Sequence, residues 1–356
     1  MVIMDLNNPT YQSIQTENLV PQKPRSTGFA GFVKKHWFLL FLAVFATLLF
    51  ILWIDGRNKS GQAENLSNLP LVTYPQISGQ NINANVIVTF PAIRNLPTNV
   101  NLYQVKSKSL GREQAKVLAS NLAFPKEPSN VSSEALLGEH YLWLSGAQTL
   151  SIRLSPLDLK MLPDVSEAPP PTGGTLPTQQ AGSEFVNNVL SLNGLLSPGI
   201  DYTQVSSGPL LEGNVLQVGI TPRIEGIDVV DKDLTSPLIS GYLQKDGKLY
   251  GLIYRAGFEN PTTPASYSAK TIKQIQDSLV SEGKIVALGD PEGEPAILVP
   301  TTISISKIVS SLLFTPEQPI TLLPIYVLTG VATTETGEEP IYIYIPAVNS
   351  KYVRAL

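Results

Sequence analysis

The sequence predicts an α+β fold: an N-terminal transmembrane helix, then two units of twisted antiparallel sheet, each packed by one or two helices. Three observations predict it, namely an apolar run near the N-terminus, strand-like alternation broken by a few segments of helical spacing, and a proline-rich stretch near the middle. The chain has 356 residues, of which 43% are hydrophobic and 15% charged. That length is enough for two or three domains, each with its own core.

The composition excludes several kinds of site. The chain has no cysteine, which excludes disulfides, thiolate zinc sites, iron–sulfur clusters and cysteine nucleophiles. It has two histidines, and histidine is the commonest metal ligand and acid/base side chain. We therefore expect no catalytic residue, no cofactor-binding residue and no metal site, and hence a protein that is not an enzyme.

The apolar run extends from Trp37 to Ile54, contains no charge and has Thr47 as its single polar residue. At 1.5 Å per residue a helix of this length spans about 27 Å, close to the hydrocarbon thickness of a bilayer. Trp37 and Trp53 lie near its two ends, where tryptophan prefers the headgroup level. The run predicts one transmembrane helix over residues 37–54, with the lipid bilayer as its partner.

The flanking charges predict the orientation of this helix. Basic residues precede it, at Lys23, Arg25, Lys34 and Lys35, and Asp55 follows it. The positive-inside rule then places the N-terminus in the cytoplasm and the rest of the chain outside the membrane. The alternative, a cleavable signal peptide, needs a shorter apolar stretch and a small-x-small site, for which Gly61-Gln62-Ala63 is the candidate. We favour an uncleaved signal-anchor in the cell membrane.

The part of the chain after the span is mildly acidic, with 21 basic and 27 acidic residues. Nucleic acid is not expected as a partner, because phosphate binding needs clustered lysine and arginine. Exported eukaryotic domains commonly carry disulfides. An exported part without cysteine therefore indicates a bacterial cell envelope.

Composition divides the chain into six segments. Residues 163–182 contain five prolines and three glycines, which is typical of a linker or of a long loop along a sheet. The segments are a disordered cytoplasmic tail (1–36), the transmembrane helix (37–54), a hydrophilic stalk (55–69), extracytoplasmic unit 1 (70–162), the proline-rich linker (163–182) and extracytoplasmic unit 2 (183–356).

Unit 1 is predicted as strands around one helix. Alternating or β-branched segments predict strands, and a helical spacing of leucines and Val117 predicts the helix, with Ser109 as its N-cap. The order is strand 85–90, strand 100–106, helix 110–122, strand 140–145 and strand 149–154.

Unit 2 is predicted as two helices among longer strands. Phe185, Val189, Leu192 and Leu196 form one apolar stripe on a helix over residues 184–196. Asp246-Gly247 predicts a tight hairpin turn. The remaining elements are strands 215–220, 238–244 and 249–255, a helix over 269–282 that ends at Gly283, and strands 302–314, 324–333 and 340–348.

The closing strands carry a family resemblance. Pro324-Ile325-Tyr326-Val327-Leu328-Thr329-Gly330 and Pro346-Ala347-Val348 resemble the last strands of single-pass bacterial envelope proteins of the YycH/YycI regulator type and of PepSY-like α+β modules. The resemblance covers roughly residues 180–350. It implies control of a partner histidine kinase, or binding or inhibition of envelope enzymes, and it supplies no catalytic motif.

Three groups of residues are candidates for chemistry. His140 is a candidate base for a serine nucleophile, but no G-x-S-x-G elbow accompanies it, so we favour a structural role. Two carboxylate clusters are candidate calcium ligands, although EF-hand spacing is absent and solvated turns are the simpler interpretation. The clusters are Asp228, Asp231 and Asp233, and Asp290, Glu292 and Glu294.

Together these observations predict a membrane-anchored extracytoplasmic binding or regulatory module without catalytic activity that acts on cell-envelope proteins. Two alternatives stay open. One is a carboxylate-dependent cell-envelope hydrolase, whose paired acids meet only in space. The other is a passive structural envelope component, without a concave pocket or an exposed apolar patch. A small ligand is not defined by the sequence.

Overall fold

Three α-helices occur in the part of the chain that the computed structural model describes. That part comprises residues 69–77, 79–92, 96–134, 138–232, 237–259, 261–262, 264–289, 298–315 and 320–354. The helices are α1 (Arg112–Asn121), α2 (Gln179–Leu192) and α3 (Ile272–Glu282). A 3-10 helix at Ser350–Tyr352 lies near the C-terminus.

Two of the three helix starts follow side-chain capping chemistry, whereas α1 begins after Gly111 and not after the predicted N-cap Ser109, because the helix starts two residues later. Thr178 Oγ1 accepts a hydrogen bond from the Ala181 amide, and Thr271 Oγ1 accepts one from the Gln274 amide. Each satisfies a backbone donor that the first turn of a helix leaves unpaired. Helices were predicted at all three places, and α2 begins five residues earlier than predicted because its cap is Thr178.

Strands make up most of the regular structure. In chain order they are β1 (Gln80–Asn81), β2 (Ile87–Thr89), β3 (Asn99–Gln104), β4 (Lys106–Ser107), β5 (Asn130–Glu134), β6 (Gly138–Ser145), β7 (Gln148–Leu154), β8 (Leu157–Pro163), β9 (Asp201–Leu210), β10 (Val215–Ile224), β11 (Ile227–Val230), β12 (Ile239–Gln244), β13 (Leu249–Tyr254), β14 (Phe258–Glu259), β15 (Ala265–Ser268), β16 (Lys284–Leu288), β17 (Thr302–Thr315), β18 (Thr321–Thr334) and β19 (Gly337–Pro346).

Eight of these strands form an antiparallel run that we term the meander. Its spatial order is β5, β6, β7, β8, β13, β12, β10, β9. The predicted Asp246-Gly247 hairpin joins β12 to β13, with Gly247 at φ +78°. The pairing of β8 with β13 is important because it joins strands from the two sides of residues 163–182.

Five further strands form a second antiparallel run, which we term the C-terminal ladder. Its order is β1, β16, β19, β18, β17. Strand β19 lies between β16 and β18, so it is an interior strand of this run. Strand β11 links the two runs, because it pairs antiparallel with β10 of the meander and parallel with β17 of the ladder. Strand β2 also pairs parallel with β17.

The predicted fold class is wrong. In place of two helix-packed sheet units, the described chain forms one mixed sheet of 17 strands and a two-stranded sheet of β4 and β14. The physical reason is long-range pairing. Strands near residue 87 and near residue 228 both pair with β17, which begins at Thr302, and no local pattern in the sequence encodes such partners.

Two hydrophobic cores pack against this sheet, and each combines separate parts of the chain. The first is built from residues 103–258 together with the ends of β17 and β18, and includes α1 and α2. The second combines residues 72–100 with residues 267–352, and includes α3. The described part of the chain therefore starts and finishes in one core and forms the other in between.

The predicted transmembrane segment lies outside the described residues. Within the residues that are described, no helix combines the length and the apolar character that a membrane crossing requires. The tail (1–36) also lies outside them, as does the stalk except for Leu69.

Candidate functional site

Helix α2 is apolar on two faces. Val186 and Leu190 are fully buried against the meander. This face lies close to the sheet because the residue beneath it is Gly241. A Cβ atom at that position would stand 2.3 Å from Val186 Cγ2. The predicted stripe is divided: Val189 and Leu196 are partly buried against the core, whereas Phe185 and Leu192 face outward. Leu192 is 84% exposed and Phe185 is 37% exposed.

The second face of α2 forms one wall of a groove. The opposite wall is the C-terminal end of α1 with Leu122 and Ala123, and Met161 of β8 and Leu249 of β13 also line the groove. The volume is about 610 Å³, within the range of ligand and peptide pockets in proteins. We term it the α1–α2 groove.

The polar residues of the groove are all carboxamides. They are Asn121, Gln148 and Asn193, and no charged side chain is among the lining residues. Asn121 Nδ2 donates a hydrogen bond to Asn193 Oδ1 at 3.0 Å, and Asn193 Nδ2 donates one to the Val189 carbonyl at 2.8 Å. The C-terminal ends of the two helices are thus joined, and the groove is held open by packed elements. Its chemistry suits an uncharged apolar partner.

His140 lies in a polar row on the other face of the meander. The row crosses four strands in register, with Ser132 opposite His140, His140 opposite Arg153, and Arg153 opposite Asp158. His140 Nε2 lies 2.6 Å from Ser151 Oγ. Asp158 accepts a hydrogen bond from Arg153 Nη2 at 3.0 Å, so the carboxylate of the row forms an ion pair with the neighbouring arginine.

Burial dominates the electrostatics of Asp158. It raises the pKa of the Asp158 carboxyl above its usual range, against the opposing attraction of Arg153 and Arg255. Arg255 also forms an ion pair with Asp231, between Nη1 and Oδ2 at 2.8 Å. The row is a network of paired charges on a sheet face.

Of the six acids in the two carboxylate clusters, the structure describes Asp228 and Asp231, and each of these pairs with an arginine. Asp228 Oδ1 lies 2.9 Å from Arg223 Nε, and Asp231 holds Arg255. Asp233, Asp290, Glu292 and Glu294 lie outside the described residues. Where the structure describes the chain, no three histidine or acidic side chains are placed to hold a metal ion.

Comparison with known proteins gives little further information. No family model matches the chain, and no curated protein matches it significantly. Among solved structures, an uncharacterized protein from Eubacterium rectale is similar, with 10% sequence identity and a TM-score of 0.42. The match covers 79% of this chain and 94% of that protein. The resemblance to YycH/YycI-type regulators and PepSY-like modules stays a prediction.

The sequence analysis did not predict the α1–α2 groove, because it identified an apolar stripe on α2 without determining which residues of the helix meet the sheet. An apolar stripe at helical spacing is usually the buried one, and Phe185, Val189 and Leu192 form such a stripe. Gly182 was the available signal. A Cβ atom there would stand 2.9 Å from Leu216 Cδ2, so a glycine inside an apolar helix marked the side that approaches the sheet.

Proposed function

We propose that this chain is a membrane-anchored extracytoplasmic binding or regulatory module that acts on cell-envelope proteins and has no catalytic activity of its own. The observation that carries the proposal is the second apolar face of α2. A helix that has already buried Val186 and Leu190 still presents Phe185, Val189 and Leu192 to a groove. Apolar surface that stays exposed beside a preformed concavity is typical of an interaction site.

The occupant of the groove is an uncharged apolar segment of an envelope protein. A charged group would lose its hydration there without gaining a partner of opposite charge, because the lining holds none. The carboxamides of Asn121, Gln148 and Asn193 both donate and accept hydrogen bonds. They therefore suit the neutral polar groups that accompany an apolar protein segment.

The sequence supports the proposed location on the extracytoplasmic side of a bacterial membrane. Residues 37–54 are apolar enough to anchor the chain, and the basic residues before them favour a cytoplasmic N-terminus. The absence of cysteine fits the bacterial envelope. The resemblance to YycH/YycI-type regulators and PepSY-like modules points to the same class of function.

The groove favours this proposal over the two alternatives. A passive structural component has no need for a concave apolar site. A carboxylate hydrolase needs two acids that face each other, and the two candidate acids that the structure describes, Asp228 and Asp231, each pair with a different arginine instead.

Site-specific photo-crosslinking in the cell tests the proposal. A photoreactive residue replaces Leu192 in the full-length anchored chain, and the matched control carries it at Val280, which lies on α3 and is 43% exposed. We expect the Leu192 position to crosslink to one envelope protein and the Val280 position not to. Identical products from both positions, or none from either, would contradict the proposal.

A further inference from the structure

Strand β9 is the last strand of the meander and has an open edge. It pairs with β10 on one side, and no other strand of the described chain pairs with it on the other. It is ten residues long, and from Tyr202 to Leu210 it contains no charged residue. Such an edge presents amides and carbonyls that can pair with another strand, which natural proteins commonly prevent with lysine, proline or a bulge.

The backbone of β9 shows which of its amides point outward. Pro209 has no N–H, and proline within a sheet occupies a position whose N–H side faces away from the neighbouring strand. Because backbone directions alternate along an antiparallel strand, Ser207, Val205 and Thr203 face outward as well. The Thr203 amide agrees with this alternation, since it donates a hydrogen bond to Asp201 Oδ1 at 2.8 Å.

The two ends of this open edge are blocked, whereas its centre is free. The amide of Thr203 is already bonded, and Pro209 has none. Between them Val205 and Ser207 each direct one N–H and one C=O outward, without a hydrogen-bond partner among the described residues. The free part of the edge is therefore centred on Ser206, which is exposed.

We infer that β9 pairs antiparallel with β9 of a second copy of this chain, about a two-fold axis at Ser206. In that register Val205 lies opposite the partner's Ser207, and the two residues exchange both backbone hydrogen bonds. The symmetry repeats this pair on the other side of the axis. All the free outward amides at the centre of the two edges are then matched with carbonyls.

The ends and the charge of the edge both suit a second copy. The register places Thr203 opposite the partner's Pro209, so no amide that still needs an acceptor is buried there. Two identical edges without charge between Tyr202 and Leu210 meet without the repulsion that lysines would cause. The interface is small, but attachment of both copies to one membrane raises their effective concentration. That last step rests on the anchor of the proposed function.

Disulfide trapping tests the inference, because the chain has no cysteine of its own. In the inferred register Ser206 lies opposite the same residue of the second copy, at the Cα distance of about 4.5 Å of a non-hydrogen-bonded pair, which a disulfide can span. Gln204 is exposed on the same face of β9 and is the matched control, because its counterpart would lie about 14 Å away. After mild oxidation of membranes that carry the full-length chain, we expect Ser206→Cys to give at least tenfold more dimer than Gln204→Cys.

A proline substitution tests the register. Ser207→Pro removes one outward amide and leaves the hydrogen bonds to β10 in place, so we expect it to abolish the dimer of Ser206→Cys without changing the urea midpoint of the monomer. If the proline variant does not fold, the two cysteine variants still decide.

Several outcomes would overturn the inference. They are equal dimer from the two cysteine variants, no dimer from either, a disulfide to a different protein, and a dimer that survives Ser207→Pro in the folded chain. The proposed function is tested separately, because crosslinking from Leu192 reports on the α1–α2 groove and does not involve β9. Either can fail while the other stands.

Discussion

Asn121 and Asn193 join the ends of two helices that the sequence places 72 residues apart. Asn121 is the last residue of α1 and Asn193 is the C-cap of α2, and their carboxamides meet at 3.0 Å. The contact closes one end of the α1–α2 groove with neutral groups. It ties the shape of the groove to the fold, so the groove exists before any partner binds.

The close approach of α2 to the sheet predicts the effect of Gly241→Ala. The added Cβ would stand 2.3 Å from Val186 Cγ2, so the helix must shift, and we expect a loss of about 1–3 kcal/mol in the free energy of unfolding. Urea unfolding measures it. The double variant Gly241→Ala with Val186→Ala should lose less stability than the sum of the losses in the two single variants, because the smaller side chain makes room for the methyl group. Additive losses would show that the contact does not exist.

The buried tyrosines predict a loss of stability at alkaline pH. Burial raises the pKa of Tyr103 and of Tyr326 to about 12. Each raised pKa contributes stability that is complete below pH 10, where the unfolded tyrosine is also neutral, and that is lost as the pH rises to about 12. Urea midpoints measured between pH 9 and pH 12 should fall across that window. A midpoint that is constant there would contradict the assignment.

Tyr326→Phe separates the two tyrosines. The Tyr326 hydroxyl is buried without a hydrogen-bond partner among the described residues, so its removal should be neutral or stabilising at pH 7 and should reduce the alkaline loss. Tyr103 donates a hydrogen bond to Glu225 at 2.6 Å, so Tyr103→Phe should destabilise at pH 7 by about 1 kcal/mol. An equal change in stability at pH 7 for the two variants would contradict the hydrogen-bond assignment.

The turn between β9 and β10 predicts a stabilising substitution. Leu211 and Glu212 have φ angles of +50° and +55°, in the left-handed region that costs residues other than glycine, asparagine and aspartate about 1–2 kcal/mol. Leu211 is also exposed, so Leu211→Asn gives up little packing. We expect a gain of about 0.5–1 kcal/mol in urea unfolding. An unchanged or lower stability would mean that the leucine side chain contributes more than its exposure indicates.

The absence of cysteine permits a direct test of membrane orientation. Single cysteines introduced as Ser26→Cys and Ser281→Cys would be the only thiols in the chain. A membrane-impermeant maleimide added to intact cells should label the second and not the first, because the proposed topology keeps the N-terminus, with its basic residues, in the cytoplasm. Lysed cells should label both, which controls for reactivity. Labelling of Ser26→Cys alone in intact cells would reverse the proposed topology.

Local features of the fold were predictable from the sequence, and its long-range pairing was not. Helix α3 was found because Ile275 and Leu279 keep helical spacing and Gly283 ends the helix. Strand β9 was missed because it is polar and lacks alternation. The partners of β17 were missed because parallel pairing with β2 and β11 depends on residues far along the chain.

The site was only half predictable for a related reason. The sequence contained the apolar stripe of Phe185, Val189 and Leu192, but spacing alone does not say which face of a helix meets the sheet. That choice depends on Gly182 and Gly241, which permit close approach on the other side. A pair of glycines on two distant elements becomes meaningful only once the elements pack.

Crosslinking from inside the groove tests the central claim most directly. A photoreactive residue at Phe185 is introduced into the full-length anchored chain in cells, alone and together with Leu192→Glu or Val280→Glu. Both glutamates replace exposed residues, so the fold should be unaffected. The account predicts one crosslinked envelope protein, lost with Leu192→Glu and retained with Val280→Glu. A product that persists unchanged with Leu192→Glu, or no product at all, would contradict it.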